Sequence, residues 1–324
     1  MIRRLPIAMI ALQVGVATGV IGAVCSTKPT AREGILAMLD GSAARPFVLR
    51  SPLIRAIGWL GEQLAGPAGA PSAETSRRTI RYALFGLSSG LPFGAWMLLI
   101  AQMLAWSTAF AAIWWGSGKR LEAALVGWGM LVLYFTPGVM QHYDPFVVAV
   151  ASGLAATALS GRWTAFAALI AVSGFIKESL PFFALLALPV WRKAPAVGGG
   201  LLLALVARFA VSRWADGAPG ETLELHFFNN FYFATLLRNE GIFALLMPVW
   251  PTLVGAALWW GGKARPDRLA VGGLFAIHAC AILTFGRTVE SRTWLELVPL
   301  AVMLVAGTLP AEAPSSTPVR RIST

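Results

Sequence analysis

Several groups of ionisable side chains in this sequence have residue types and spacing that could do chemistry. The run Gln141-His142-Tyr143-Asp144-Pro145 is one of them. Aspartate before proline does not easily continue a helix, so Asp144 marks a turn and Pro145 suits the first position of the helix that follows. There Asp144 either caps that helix, favoured by its dipole, or joins His142 and Tyr143 in binding a cation or sugar hydroxyls. A second group, Lys177-Glu178, sets two charges inside an otherwise apolar stretch, where they are costly unless paired or lining a cavity. Either the two neutralise each other at an interface, or Lys177 meets a phosphate oxygen while Glu178 serves as a general base or as a ligand for a divalent cation. The third runs from Arg287 to Glu296 and holds Glu290 and Arg292. If helical, Arg292 and Glu296 stand one turn apart, a pairing that adds little on an exposed helix. In a cavity of low dielectric the same groups could hold an anion or tune each other's protonation.

Two further groups are weaker. His226, Asn229 and Asn230 lie among Phe227, Phe228, Phe231, Tyr232 and Phe233, a composition that also describes an aromatic belt at a membrane surface. Asp40 is followed by Arg45, Arg50 and Arg55 in a long connecting segment. His278 falls within an apolar run and reads as a hydrogen-bonding residue of helix packing. There is no P-loop, no His-Glu-x-x-His, no cysteine pair and no Gly-x-Ser-x-Gly elbow.

The elements that must carry these groups follow from composition. Of 324 residues 57% are hydrophobic and 13% charged, against roughly 45–50% and about 25% in soluble domains. A bilayer core of about 30 Å takes about 20 apolar residues in a helix, and such stretches recur from Pro6 to Pro310. The sequence therefore predicts an all-α, polytopic transmembrane bundle of about 10 helices, some short or re-entrant. The helices are expected at 6–25, 92–115, 122–139, 145–160, 163–176, 180–191, 195–214, 241–260, 269–285 and 294–309. Residues 1–310 form a single transmembrane domain and 311–324 a short tail. The first loop, 26–91, holds an apolar pattern at helical spacing through Ile54, Ile57, Trp59, Leu60 and Leu64, which suits a helix lying in the membrane interface.

Charge sets the expected orientation. With both termini in the cytoplasm, twelve of the 26 basic residues fall in the short inner segments, at Arg3/Arg4, Lys119/Arg120, Arg162, Arg192/Lys193, Lys263/Arg265/Arg268 and Arg320/Arg321. This is the positive-inside pattern, and it accounts for a net charge of +11 without nucleic acid as a partner. Only Glu122, Asp267 and Glu312 among the fifteen acids lie inside, so the candidate reactive groups collect on the outer face. Acids contribute little to topology, which makes function the expected cause. The segments 163–176 and 180–191 are short for crossings and are flanked by basic residues on one side, so they are expected to form a hairpin with Lys177-Glu178-Ser179 at its tip; the alternative, one kinked span, would invert every later helix and put the basic clusters outside. The first apolar run is longer than a signal-peptide core and reads as an uncleaved helix. Cys25 and Cys280 indicate neither a disulfide framework nor a metal site.

Three stretches together resemble bacterial membrane proteins of the GT-C glycosyltransferase type: Arg45-Pro46-Phe47-Val48-Leu49-Arg50-Ser51-Pro52-Leu53; Tyr143-Asp144-Pro145 with Phe175-Ile176-Lys177-Glu178-Ser179; and Glu290-Ser291-Arg292 leading to Glu296-Leu297-Val298-Pro299-Leu300. The resemblance implies transfer of a sugar from a polyprenyl-phosphate donor at the outer face of the inner membrane, with an acid of the first outer loop as base. Here that acid would be Asp40, with Glu33 as the second choice, and Arg45, Arg50 or Lys177 would neutralise the departing lipid phosphate. The chain departs from the type in lacking a clear acidic motif in the first loop and in being short, which leaves a catalytically silent relative as one alternative. A lipid or solute transporter with membrane lipid as partner is the other, since discontinuous helices and buried charges also serve transport.

Overall fold

A computed structural model of the chain describes residues 5–25, 37–39, 43, 52–65, 93–133, 143–215, 265–285 and 295–308. Among these, every regular element is helical and none is a strand. The helices are α1 (Leu5–Cys25), α2 (Pro52–Ala65), α3 (Phe93–Gly116), α4 (Leu121–Leu133), α5 (Asp144–Leu159), α6 (Trp163–Ser173), α7 (Ala194–Trp214), α8 (Arg265–Phe285) and α9 (Val298–Thr308). A 3₁₀ helix, Leu180–Lys193, joins the α6 turn to α7 and is interrupted at Val190, next to Pro189. Proline removes a backbone donor and clashes with the preceding turn, which accounts for the break.

Two stretches, Met97–Gly116 and Pro195–Trp214, are long and apolar enough to cross a membrane. The second inverts the usual order of sizes. Val197, Gly200, Ala204, Ala207 and Val211 are its buried stripe, while Leu202, Leu203, Leu205, Val206 and Phe209 stand largely exposed. In water the large apolar side chains would be the ones turned inward; small residues at helix contacts with large ones outward is the arrangement lipid permits.

Close contacts at glycine set the directions of the helices. A Cβ on Gly200 would stand 2.4 Å from the Ala167 carbonyl oxygen, and one on Gly174 would stand 2.3 Å from that of Ala204. Residue numbers therefore rise together along α6 and α7, and the two run parallel. The chain between them must return, so the expected hairpin of α6 and the 3₁₀ helix is the observed path. By the same reasoning, the 3₁₀ helix and α8 are antiparallel, because Phe182 and Phe183 meet His278 while Leu185 lies beside Gly273. Gly200→Leu is expected to separate α6 from α7, at a cost of at least about 1–3 kcal/mol. A lower melting temperature in detergent, or an aggregated size-exclusion profile, would register the loss, and an unchanged profile would contradict the packing.

One end of the bundle gathers the C-termini of α3 and α5 and the N-terminus of α6. A Cβ on Gly116 would lie 3.0 Å from Ala156, and the Arg162 guanidinium sits 4.8 Å from the Trp115 ring centroid. The turns here are tight, with Gly118 and Gly161 at φ +75° and +69°, a left-handed conformation that glycine adopts without a Cβ clash. It follows that Tyr143 and Asp144, at the start of α5, lie at the opposite end, together with the tip of the α6 hairpin and the start of α9. Helix α2 joins that second end through Arg55, 4.7 Å from the Trp214 ring centroid.

Several boundaries differ from expectation. The helix expected over 163–176 ends at Ser173, where the chain turns through Gly174. The last helix begins at Val298 rather than 294, so Glu296 occupies the turn ahead of it. Pro299 suits the first turn of such a helix, since the missing N–H has no helical partner there. Tyr143, not Asp144, holds the cap position of α5 and makes no side-chain cap bond; Asp144 is the first helical residue. The span expected at 241–260 and the far end of that expected at 122–139 lie outside the described residues.

Candidate functional site

The site begins with Glu296, whose side chain is 1% exposed. A carboxylate removed from water must be offered donors, and three converge on it. The Lys177 ammonium pairs with Oε1. The Ser179 hydroxyl donates to Oε2 at 2.6 Å, and His278 Nε2 lies 3.3 Å from the same oxygen. These donors come from two directions: Lys177 and Ser179 from the turn between α6 and the 3₁₀ helix, and His278 from α8. The backbone holds the turn in place, because the amides of Ile176 and Lys177 both donate to the Ser173 carbonyl.

His278 is 1% exposed, and both of its ring nitrogens face oxygen. Nδ1 is 3.1 Å from the Leu274 carbonyl while Nε2 faces Glu296. A neutral imidazole has one N–H and can satisfy one of these acceptors; a second proton would satisfy both. Phe182 and Phe183 meet the ring edge to face, each with centroids 5.8 Å away, so apolar walls confine it. With Oε1 engaged by Lys177 and Oε2 by Ser179 and His278, Glu296 is suited to positioning its neighbours rather than to attacking a substrate.

Glu178 points elsewhere. Its Oε2 accepts from Arg208 at 3.0 Å, and its side chain is 45% exposed against 20% for the arginine. This contact continues the register of α6 and α7, one turn beyond Gly174 and Ala204. So Lys177 and Glu178 each take a partner on another element, Glu296 for one and Arg208 for the other. Pairs exposed to this degree contribute about 1 kcal/mol or less, and the Glu178 carboxylate stays accessible.

Of the residues singled out in the sequence, Lys177 and Glu296 are brought into direct contact, and Glu178 is adjacent. Tyr143 and Asp144 lie at the same end, both buried, on a helix that packs against the 3₁₀ helix and α9. Asp40, Arg45, Arg50, His142, Glu290 and Arg292 lie outside the described residues, as do Glu33 and the group around His226. Ser179, Arg208 and His278 are the members that sequence reasoning did not assign to the site. Arg208 and His278 carried a signal, since each is an ionisable residue inside an apolar run. Among the described residues no three of His, Cys, Asp and Glu are grouped as a metal ion would need. Comparison of the chain with family models, curated proteins and solved structures finds no match.

Proposed function

We propose that this chain is a multi-pass protein of the bacterial inner membrane that handles a phosphate-bearing lipid at its outer face, and that it transfers a sugar from a polyprenyl-phosphate donor in the manner of GT-C glycosyltransferases. The observation that carries the reading is the buried Lys177–Glu296 pair, a cation held at the end of the bundle where Asp144 and Glu178 also lie. Large apolar side chains on the outside of α7 support the membrane setting. Orientation rests on charge: Lys119, Arg120 and Arg162 sit at the far end, which is then cytoplasmic.

In this reaction an acceptor hydroxyl gives its proton to Asp40 and its oxygen bonds to the anomeric carbon as the bond from that carbon to the phosphate oxygen breaks. Lys177, with Arg45 or Arg50, offsets the charge on the departing lipid phosphate. Mass spectrometry of lipid-linked glycans from cells with and without the protein tests this, the expected result being loss of one glycosylated species and accumulation of its acceptor. An identical glycan profile would argue against transfer.

A transporter is the second reading, favoured by the broken 3₁₀ helix with Pro189 and Val190 between two helices of the bundle. It would give substrate-dependent flux in liposomes with no covalent product.

Orientation has its own test. In a chain with Cys25 and Cys280 replaced by serine, Glu178→Cys should react with an impermeant maleimide on intact spheroplasts, whereas Lys119→Cys should react only after the membrane is opened. Both positions are exposed, so the reverse pattern would invert the topology.

A further inference from the structure

Lys177, Ser179 and His278 present an ammonium, a hydroxyl and an imidazole to a single point, and that point is occupied by a carboxylate of the chain itself. Donors of this kind, converging from separate elements, are what a phosphate group needs: a cation for its charge and several short hydrogen bonds to its oxygens. Phe182 and Phe183 pack edge to face against the His278 ring, so the imidazole stands in apolar surroundings. Glu296 is not fixed inside a regular helix. It belongs to the turn Leu295–Leu297 ahead of α9, so rotation of its side chain leaves the hydrogen-bond ladder inside α9 intact.

We propose that Glu296 is an internal stand-in for the lipid phosphate: it fills an anion site built by Lys177, Ser179 and His278, and the phosphate group, as the donor's diester or as the monoester released on transfer, enters by displacing it. The site is thereby closed when empty. Lys177 is mostly withdrawn from water, and Glu296 supplies its counter-charge between ligands. This rests on the reading of Lys177 as a phosphate-binding residue and deepens it by adding the competitor that must leave. A lipid headgroup and free phosphate share the chemistry, so the test separates them.

The full chain in a neutral detergent is titrated calorimetrically with decyl phosphate, with inorganic phosphate and with decanol. Glu296→Gln keeps the shape of the side chain but removes the competing charge, and is expected to bind decyl phosphate about tenfold more tightly than the unaltered chain. Adding Lys177→Met to that variant should abolish binding. A gain for decyl phosphate alone assigns the site to a lipid headgroup, and an equal gain for inorganic phosphate assigns it to the free ion; decanol should show neither.

Equal affinity of the unaltered chain and Glu296→Gln overturns the displacement while leaving a phosphate site at Lys177. Absence of binding in both overturns the site and the displacement together. A displaced Glu296 with no sugar transfer in the glycan assay would keep this proposal and remove the transferase reading. If Glu296→Gln does not fold, labelling of Glu296 in the unaltered chain by a hydrophobic carbodiimide, read by peptide mass spectrometry, decides the matter. Decyl phosphate should raise that labelling several-fold, and no change overturns the displacement.

Discussion

Lys177→Met is expected to destabilise the protein by about 3–5 kcal/mol, the usual cost of removing one partner from a buried ion pair. The carboxylate left behind is 1% exposed, and its remaining partners, Ser179 and His278, share one oxygen. The opposite change should be milder. Lys177 retains 12% exposure, so in Glu296→Gln its ammonium has a route toward solvent and an amide oxygen nearby. Combining Lys177→Met with Glu296→Gln should recover most of the loss, because no buried charge then stands alone. Thermal unfolding of the four chains in the same detergent gives the cycle. A double variant no more stable than Lys177→Met would show that the lysine acts through packing rather than as the counter-charge.

Asp40→Ala should lower sugar transfer by about 10²–10⁴-fold, the range for removing a general base. The protein should still reach the membrane in normal amount, since the proposed role is in the reaction and not in packing. Glu178→Gln is the informative comparison. Its carboxylate is already bonded to Arg208 and half-exposed, so if it only anchors the hairpin, the effect on rate should be small and the effect on stability about 1 kcal/mol or less. A large fall in rate for Glu178→Gln with normal transfer by Asp40→Ala would move the base from the first loop to the hairpin. Full transfer by both variants would remove acid–base roles from each. Quantifying product on a lipid-linked acceptor, at matched protein levels, separates these outcomes.

The helical positions were legible because apolar residues in long runs leave few alternatives. Helices α3, α5 and α7 begin and end within a residue or two of expectation. The hairpin was legible for a different reason: two short apolar segments have basic residues at the same flank, whereas one kinked span would put the later basic clusters on the outer side. What could not be read were the contacts that depend on how helices cross. Lys177 lies 119 residues from Glu296 in sequence, and nothing local distinguishes that acid from Glu290 as its partner. A helix starting at 294 would hold Glu296 in its first turn, whereas the helix begins at Val298, since the hydrophobicity of Leu295, Leu297 and Val298 continues smoothly through a turn. His278 presented the same difficulty. In a run of apolar residues its helix was evident, but which face met Phe182, Phe183 and Glu296 was not.

By itself, then, the sequence determined that this is a helical, strongly apolar chain with most of its charges at the ends of its runs, because the spacing and cost of charge are local properties. Only the tertiary structure decided that Lys177, Ser179, Glu178 and Glu296 would separate into two clusters, one buried around Glu296 and one open at Arg208. The physical reason is the close approach of small residues. Gly174 and Gly200 let α6 and α7 run parallel at backbone contact, which turns the hairpin tip so that Lys177 faces α9 and Glu178 faces α7.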